Sequence, residues 1–529
     1  MSAIYVIHPG MRRAVILGVL GVLCGVFATR AQTPGPDAAF DQFWSASNAR
    51  EASERVADVL RSGVSFDDAY QRLKRGRRYA AQPSGMTRKS IAVGRTEHYY
   101  TVTLPEQYDP SRKYQVRVQL HGGVMMRHTN VPPATAGGIG ALAGAEQIYI
   151  VPFAWDAAAW WTSDQTANID AILDRAKRDY NIDENHVVLS GVSDGGTGVY
   201  YAAMRDTTPF AAFLPLNGFM MVLGAPDLVV DGPLYPNNIR NKPFFIVNGV
   251  RDPLYPTHVV EPYIEHYRLG GVALDYRPQD AGHNTSWWPQ VKDVYETFVR
   301  EHPRSPLPDA LTWETAGASA FNRAHWLVID KLGRARDEAA SMPDLNDYVG
   351  PASPDFGVRA IGNRVNRVMP GSNAEKIGLR PGDVMMHLND ATLPVGTDIQ
   401  DVLEDVKPGS KISLLVARDN APVDIEGTYD PQIVKLPPKQ LFERSQPSGR
   451  VDLGRSGNTV RATTRGVAAF TLLLSPDQFD FAKPILVIAN GRTVFSGRVQ
   501  KDTRTLMTYA ALDNDRTMLF GAALHIDLK

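Results

Sequence analysis

The chain has 529 residues, too many for one hydrophobic core and enough for roughly three to four domains of about 150 residues each. Apolar residues make up 43% and charged residues 21%, a globular rather than a disordered balance. Lys+Arg (56) and Asp+Glu (57) cancel, so charge gives no ground for nucleic acid or an anionic membrane surface as a partner.

The single cysteine, Cys24, lies in an apolar run from Ala14 to Ala28 behind Arg12-Arg13. A basic start, a short apolar stretch and small residues near Ala28–Ala31 predict a signal peptide over residues 1–31. The run is short for a transmembrane helix, although an uncleaved anchor is the alternative. Met11 is an alternative start, because MSAIYVIHPG adds nothing to the signal. Cleavage after Ala31 leaves a mature chain with no cysteine, no disulfide and no integral membrane span, in a secreted or periplasmic setting.

Residues 32–95 are expected to form a helical region. Its Pro/Gly/Ala-rich start, 32–45, predicts a flexible lead-in. Val56, Val59 and Leu60 share one helical face between Ser47 and Arg77, and Ser65-Phe66-Asp67-Asp68 predicts a cap before a second helix through Leu73.

From Tyr99 the rhythm changes. Short β-rich runs (Tyr99–Leu104, Val116–Leu120, Ile148–Val151, Val187–Ser190, Phe244–Asn248, Ala273–Arg277) alternate with helical patterns such as Ile169–Tyr180 and Val259–Leu269. This alternation predicts an α/β domain over 96–304, a mostly parallel sheet with helices on both faces. The first two runs are expected to pair antiparallel across the Asp109-Pro110 turn. Beyond Pro306 the pattern turns to β segments, expected to build one discontinuous sandwich-like domain from 305–344 and 433–529. Trp326 and Leu472–Leu474 are expected in its core. Phe470, Phe479 and Phe481 are read either as interior or as carbohydrate-stacking platforms.

The buried run Val187–Ser190 leads into Gly191-Val192-Ser193-Asp194-Gly195-Gly196 and then a helical stretch, Thr197–Met204. Strand, tight turn and helix are the context of a nucleophile elbow, with Ser193 at its tip. A hydroxyl needs a base to take its proton, and His283 in Asp280-Ala281-Gly282-His283-Asn284 follows a later strand. Asp252, in Asn248-Gly249-Val250-Arg251-Asp252, is the candidate acid, with Asp280 in reserve. His258 and His266 fall in a helix and read as surface or packing residues, while His128 and His186 precede the acid and fit the order poorly. Oxyanion donors are expected from the Asp194 backbone N–H and from Gly123, with Gly122 second, in His121-Gly122-Gly123-Val124. The Asp194 carboxylate is open to two readings, a helix cap or a contact to a substrate cation. Trp155, Trp160, Trp161, Trp287 and Trp288 are candidates for an aromatic wall or for core.

"LPEQYDPSRKYQVRVQLHGG", "GVSDGGTG", "NGVRDPLYP" and "AGHN" resemble, in sequence and order, the landmarks of the α/β-hydrolase superfamily, in its esterase and prolyl-oligopeptidase-like peptidase branches. The resemblance implies hydrolysis of an ester or a peptide through an acyl-enzyme, with no metal and no cofactor. A catalytically inactive binding protein on the same scaffold is the alternative from another class.

Residues 345–432 differ again. Phe356-Gly357-Val358, "AEKIGLRPGDV" and "VKPGSKISLLVARDN" resemble a PDZ domain of the bacterial secreted type. Such a domain takes an extended peptide or protein C-terminus as an added strand, and Phe356, Gly357 and Val358 match its carboxylate loop. Asp355 just ahead would repel a carboxylate if it faced inward, so an unused groove is an equal expectation.

Overall fold

Every residue of Gln147–Pro152, Ala212–Leu216 and Phe244–Gly249 is buried, the mark of strands covered on both faces. A computed structural model describes residues 34–124, 142–144, 146–317, 321–334, 342–350, 353–394, 397, 402–403, 406–434 and 437–528. The expected signal peptide and His128 lie outside the described residues.

Among the described residues three helices come first, α1 (Pro36–Trp44), α2 (Ala49–Arg61) and α3 (Phe66–Arg75). Ser65 caps α3 through the Asp68 N–H, as its sequence predicts. The lead-in expected at 32–45 is instead largely α1, with Pro36 in its first turn, where a missing N–H costs nothing. Helices this short are marginal alone. Phe40, Phe43, Val56, Val59 and Leu73 bury themselves against Leu506, Met507, Ala510 and Ala511 of the C-terminal helix Thr503–Asp513.

The main sheet has eight strands: β1 (Gly85–Val93), β2 (Thr96–Leu104), β3 (Tyr114–Leu120), β4 (Gln147–Pro152), β5 (Ile182–Val192), β6 (Ala212–Leu216), β7 (Phe244–Gly249) and β8 (Leu274–Gln279). Their spatial order is β1-β2-β4-β3-β5-β6-β7-β8. β1 pairs with β2, and β2 with β4, antiparallel; every pairing from β4 to β8 is parallel. Two expectations need correction. β2 and β3 do not form a hairpin, because β4 lies between them, and the sheet begins at Gly85, ahead of the boundary expected at 96.

Side chains alternate across this sheet, so β4, β5, β6 and β7 each feed two cores. Leu189, Phe213, Phe244 and Ile246 face α4 (Ser163–Asp179), α5 (Asp194–Arg205) and α6 (Thr257–Leu269). Val188, Leu214, Phe245 and Val247 face α7 (Trp288–Glu301). No helix among the described residues is long and apolar enough to cross a membrane.

Downstream, Ala310–Thr315 joins Gly449–Ser456, Thr459–Arg465, Ile485–Ala489 and Arg492–Gly497 in one sheet, and Leu327–Leu332 joins Val467–Leu474 and Ala522–Asp527 in another. The two sheets close on a shared core, a sandwich built from both sides of an insertion. Phe470 and Phe479 are buried there as interior residues, and Phe481, half-buried, packs against the edge of the same core. Trp326 is fully buried, edge-on to Phe479, and donates its indole N–H to the Pro308 carbonyl at 2.8 Å. Trp326→Ala is expected to cost about 3–5 kcal/mol. Calorimetry of the full chain should show the corresponding transition moved to lower temperature; an unmoved transition contradicts the packing.

The insertion leaves through two short ladders, Asp347–Tyr348 with Lys439–Gln440 and Ser353–Asp355 with Gln432–Val434. Beyond them Val358–Ile361, Arg364–Val368, Val384–Leu388, Lys411–Arg418 and Ala421–Thr428 form a separate sheet over its own core.

Candidate active site

All the candidate residues sit where strands end. β5 runs into Ser193, which has φ 58° and ψ −120°, a costly conformation for a residue with a Cβ. The strain is held in place by its surroundings. Ser193 N–H donates to the Leu216 carbonyl, and the Ser193 carbonyl accepts from Thr197 N–H. A Cβ on Gly191 would meet the Gly195 carbonyl at 2.1 Å, and one on Gly195 would meet the Leu120 carbonyl at 2.3 Å, so both positions need glycine.

Ser193 Oγ donates to His283 Nε2 at 2.8 Å, and His283 Nδ1–H donates to Asp252 Oδ2 at 2.7 Å. A proton on Nδ1 leaves Nε2 free to accept, which is the tautomer a base needs. The Asp252 carboxylate is buried, and its other oxygen accepts from the N–H groups of Leu254 (2.8 Å) and Tyr255 (3.1 Å). The acid and histidine loops are stitched together by Val250 N–H to Gln279 O and Arg251 N–H to Ala281 O. Asp280, the reserve acid, pairs instead with Arg251 at the exposed outer side of the same loops, while His283 Nδ1 is bonded to Asp252.

His258 is exposed, His266 binds the Leu345 carbonyl and His186 pairs with Asp183, whereas the serine bonds His283. Gly122 abuts the elbow, since a Cβ on it would lie 2.9 Å from the Ser193 Cβ. Gly123 has φ +69°, in the left-handed region that favours glycine. The Asp194 side chain makes a contact that neither reading foresaw. Its Oδ2 accepts from Val124 N–H at 2.8 Å, across to the glycine loop.

The tryptophans were open to two readings, and four are core. Trp160, Trp161, Trp287 and Trp288 are buried, while Trp155 is half-buried and stacks at a tilt on His98. An aromatic surface exists nearby but uses other residues. Tyr255 meets His283 edge-on at 5.5 Å, Phe219 packs on Tyr255 and Tyr263, and Tyr263 stacks at 4.8 Å on Tyr348, in the ladder at the base of the insertion. Burial, with the carboxylates of Asp194 and Asp252 nearby, pushes the Tyr255 phenol up to about 12. Asn217, also overlooked, has φ 46° and donates from Nδ2 to the Asn284 carbonyl at 2.8 Å, steadying the loop of His283. The Asn217-Gly218 pair after a strand was its one sequence signal.

In the insertion, Phe356 and Val358 are buried in its core, so their side chains do not line a groove. Gly357 has φ +87°, and its N–H donates to Asp355 Oδ1 at 2.8 Å. Asp355 is in turn paired with Arg359 at 2.9 Å. A loop that would offer this N–H to a terminal carboxylate therefore already holds a carboxylate of its own.

A mostly parallel sheet with a serine elbow after β5, and an acid and a histidine after β7 and β8 in that chain order, defines the α/β-hydrolase fold. Residues 364–418 match the family model of the PDZ domain. The chain is 28% identical over 203 residues to the bifunctional acetylxylan esterase/xylanase XynS20E of Neocallimastix patriciarum, covering 38% of this chain and 26% of that one. It is 32% identical over 66 residues to the periplasmic pH-dependent serine endoprotease DegQ of Escherichia coli, 12% of this chain and 14% of that one. The chain thus spans about a quarter or less of the curated relatives it matches. Among solved structures a thermostable esterase aligns at 20% identity and a TM-score of 0.35, over 41% of this chain and 63% of the other.

Proposed function

We propose that the protein is an exported serine hydrolase that cleaves a carboxylic ester through an acyl-enzyme. The reading rests above all on His283, hydrogen-bonded at once to Ser193 and to buried Asp252. Ser193 Oγ attacks the carbonyl carbon while His283 Nε2 takes its proton, and the Asp252 carboxylate stabilises the imidazolium that results. The N–H groups of Asp194 and Gly123 face the developing oxyanion. His283 then protonates the departing alkoxide, and water repeats the sequence in reverse on the acyl-enzyme. Export rests on the basic and apolar pattern of residues 1–31. The PDZ domain points to a peptide-binding role beside the hydrolase.

An ester is favoured by the acetylxylan esterase named among the relatives, and short acyl esters of sugars are the first substrates to try. A peptidase is the second reading, favoured by the likeness to a serine endoprotease. The purified protein is expected to be labelled by a fluorophosphonate probe and to turn over p-nitrophenyl acetate and acetylated sugars well above dipeptide anilides. Anilide turnover at ester-like efficiency would replace the esterase reading by the peptidase one. Absence of label on the folded protein would leave a binding protein on a hydrolase scaffold.

A further inference from the structure

We propose that the Asp194 carboxylate is a positioning group that clamps the loop His121-Gly122-Gly123-Val124 so that the Gly123 N–H is aimed at the oxyanion; this rests on the serine hydrolase reading above.

Two successive glycines after β3 give a loop that would otherwise be the softest part of the site. Hydrogen bonds on both sides of Gly123 remove that softness. The His121 carbonyl accepts from Trp160 Nε1–H at 2.8 Å. The Gly122 carbonyl accepts at 2.8 Å from His121 Nδ1, which must therefore carry the proton, while His121 Nε2 accepts from Ala154 N–H at 3.1 Å. Because a trans peptide unit is planar, with its C=O and N–H opposed, holding the Gly122 oxygen also sets the direction of the Gly123 N–H. The next peptide unit is held from the other end by Val124 N–H donating to Asp194 Oδ2 at 2.8 Å. Gly123 therefore sits between two pinned peptide planes. Burial pushes the His121 imidazole down, which keeps it in the neutral form these partners require.

The geometry gives one residue two duties. The Asp194 backbone N–H opens α5 beside the serine, and its side chain fixes the loop that carries the other donor. The spacing between the two donors is then set within a single residue rather than across two independent loops. A carboxylate is a costly choice this close to a developing negative charge, so its value lies in the acceptor oxygen. An asparagine oxygen can make the same bond without the charge.

The test uses the full-length protein and p-nitrophenyl acetate. Loss of a whole oxyanion donor costs about 10²–10³ in kcat, and a loosened one less, so Asp194→Ala should lower kcat about 10–100-fold. KM should stay within about twofold, because the lost interaction forms only in the transition state. Asp194→Asn should recover at least tenfold of that loss. A trifluoromethyl ketone, whose adduct places an oxyanion in the hole, should bind Asp194→Ala more weakly by the same factor as kcat falls, a readout that a packing role would not move. The proposal is overturned if Asp194→Ala keeps its kcat, if Asp194→Asn is no better than Asp194→Ala, or if KM rises with kcat unchanged. Should the alanine variant not fold, the asparagine variant and Asp194→Ser carry the same comparison. A wild-type protein that neither turns over the ester nor takes the fluorophosphonate overturns the functional reading and the clamp together. An active wild type with an indifferent Asp194→Ala overturns the clamp alone.

Discussion

Ser193→Ala is expected to lower ester turnover by about 10⁴–10⁶-fold and to abolish fluorophosphonate labelling. The change removes one oxygen, the one that donates to His283 Nε2. It leaves the elbow as strained as before, since alanine carries the same Cβ at the same positive φ. The sheet and the oxyanion loop should persist, so the residual rate should exceed that in water by what binding and the remaining N–H donors supply. Circular dichroism of the variant should match that of the wild type. Retained label on a folded Ser193→Ala protein would move the nucleophile elsewhere.

Asp252→Asn is the second large effect, a fall of about 10³–10⁴ in kcat. Its size follows from the buried partners. One Asp252 oxygen accepts from the Leu254 and Tyr255 N–H groups and the other from His283 Nδ1–H. An asparagine must keep its carbonyl oxygen toward the two backbone donors, which turns its NH₂ toward His283. Nδ1 must then accept, the ring proton moves to Nε2, and the histidine can no longer receive the proton of Ser193. Asp280→Asn removes only the exposed pair with Arg251 and should leave kcat within about twofold, since such pairs contribute little. A strong effect at Asp280 with none at Asp252 would reassign the acid.

Ser193 and Asp252 were legible because β5 and β7 ahead of them are plain apolar runs, and His283, behind the half-buried and polar β8, because open α/β sheets gather their sites at carboxyl ends and the chain order was right. Other parts were hidden for physical reasons. β1 is exposed or half-buried along its whole length, so no hydrophobic alternation betrays it. β6 is five residues long and contains Pro215, which argues locally against a strand. The hairpin expected of β2 and β3 followed turn logic alone, and nothing local says that β4, some thirty residues on, will insert between them. α1 was masked by a composition that suits a linker equally well. The clamp on the oxyanion loop was out of reach, because Asp194 meets a backbone N–H seventy residues away and the residue type of Val124 carries no trace of it.

The sandwich has a consequence for the order in which this chain assembles. Its sheets join Ala310–Thr315 and Leu327–Leu332 to strands between 449 and 527, with the whole PDZ insertion synthesised in the interval. The first helices wait longer still, since their shared apolar core is completed by Thr503–Asp513 and Leu519. Segments very far apart along the chain are thus each other's packing partners. Contacts of such long sequence separation form slowly, and until they do the apolar faces of α1–α3 remain uncovered. The nascent chain therefore carries an aggregation hazard in α1–α3 from their synthesis until the helix Thr503–Asp513 has emerged to cover them.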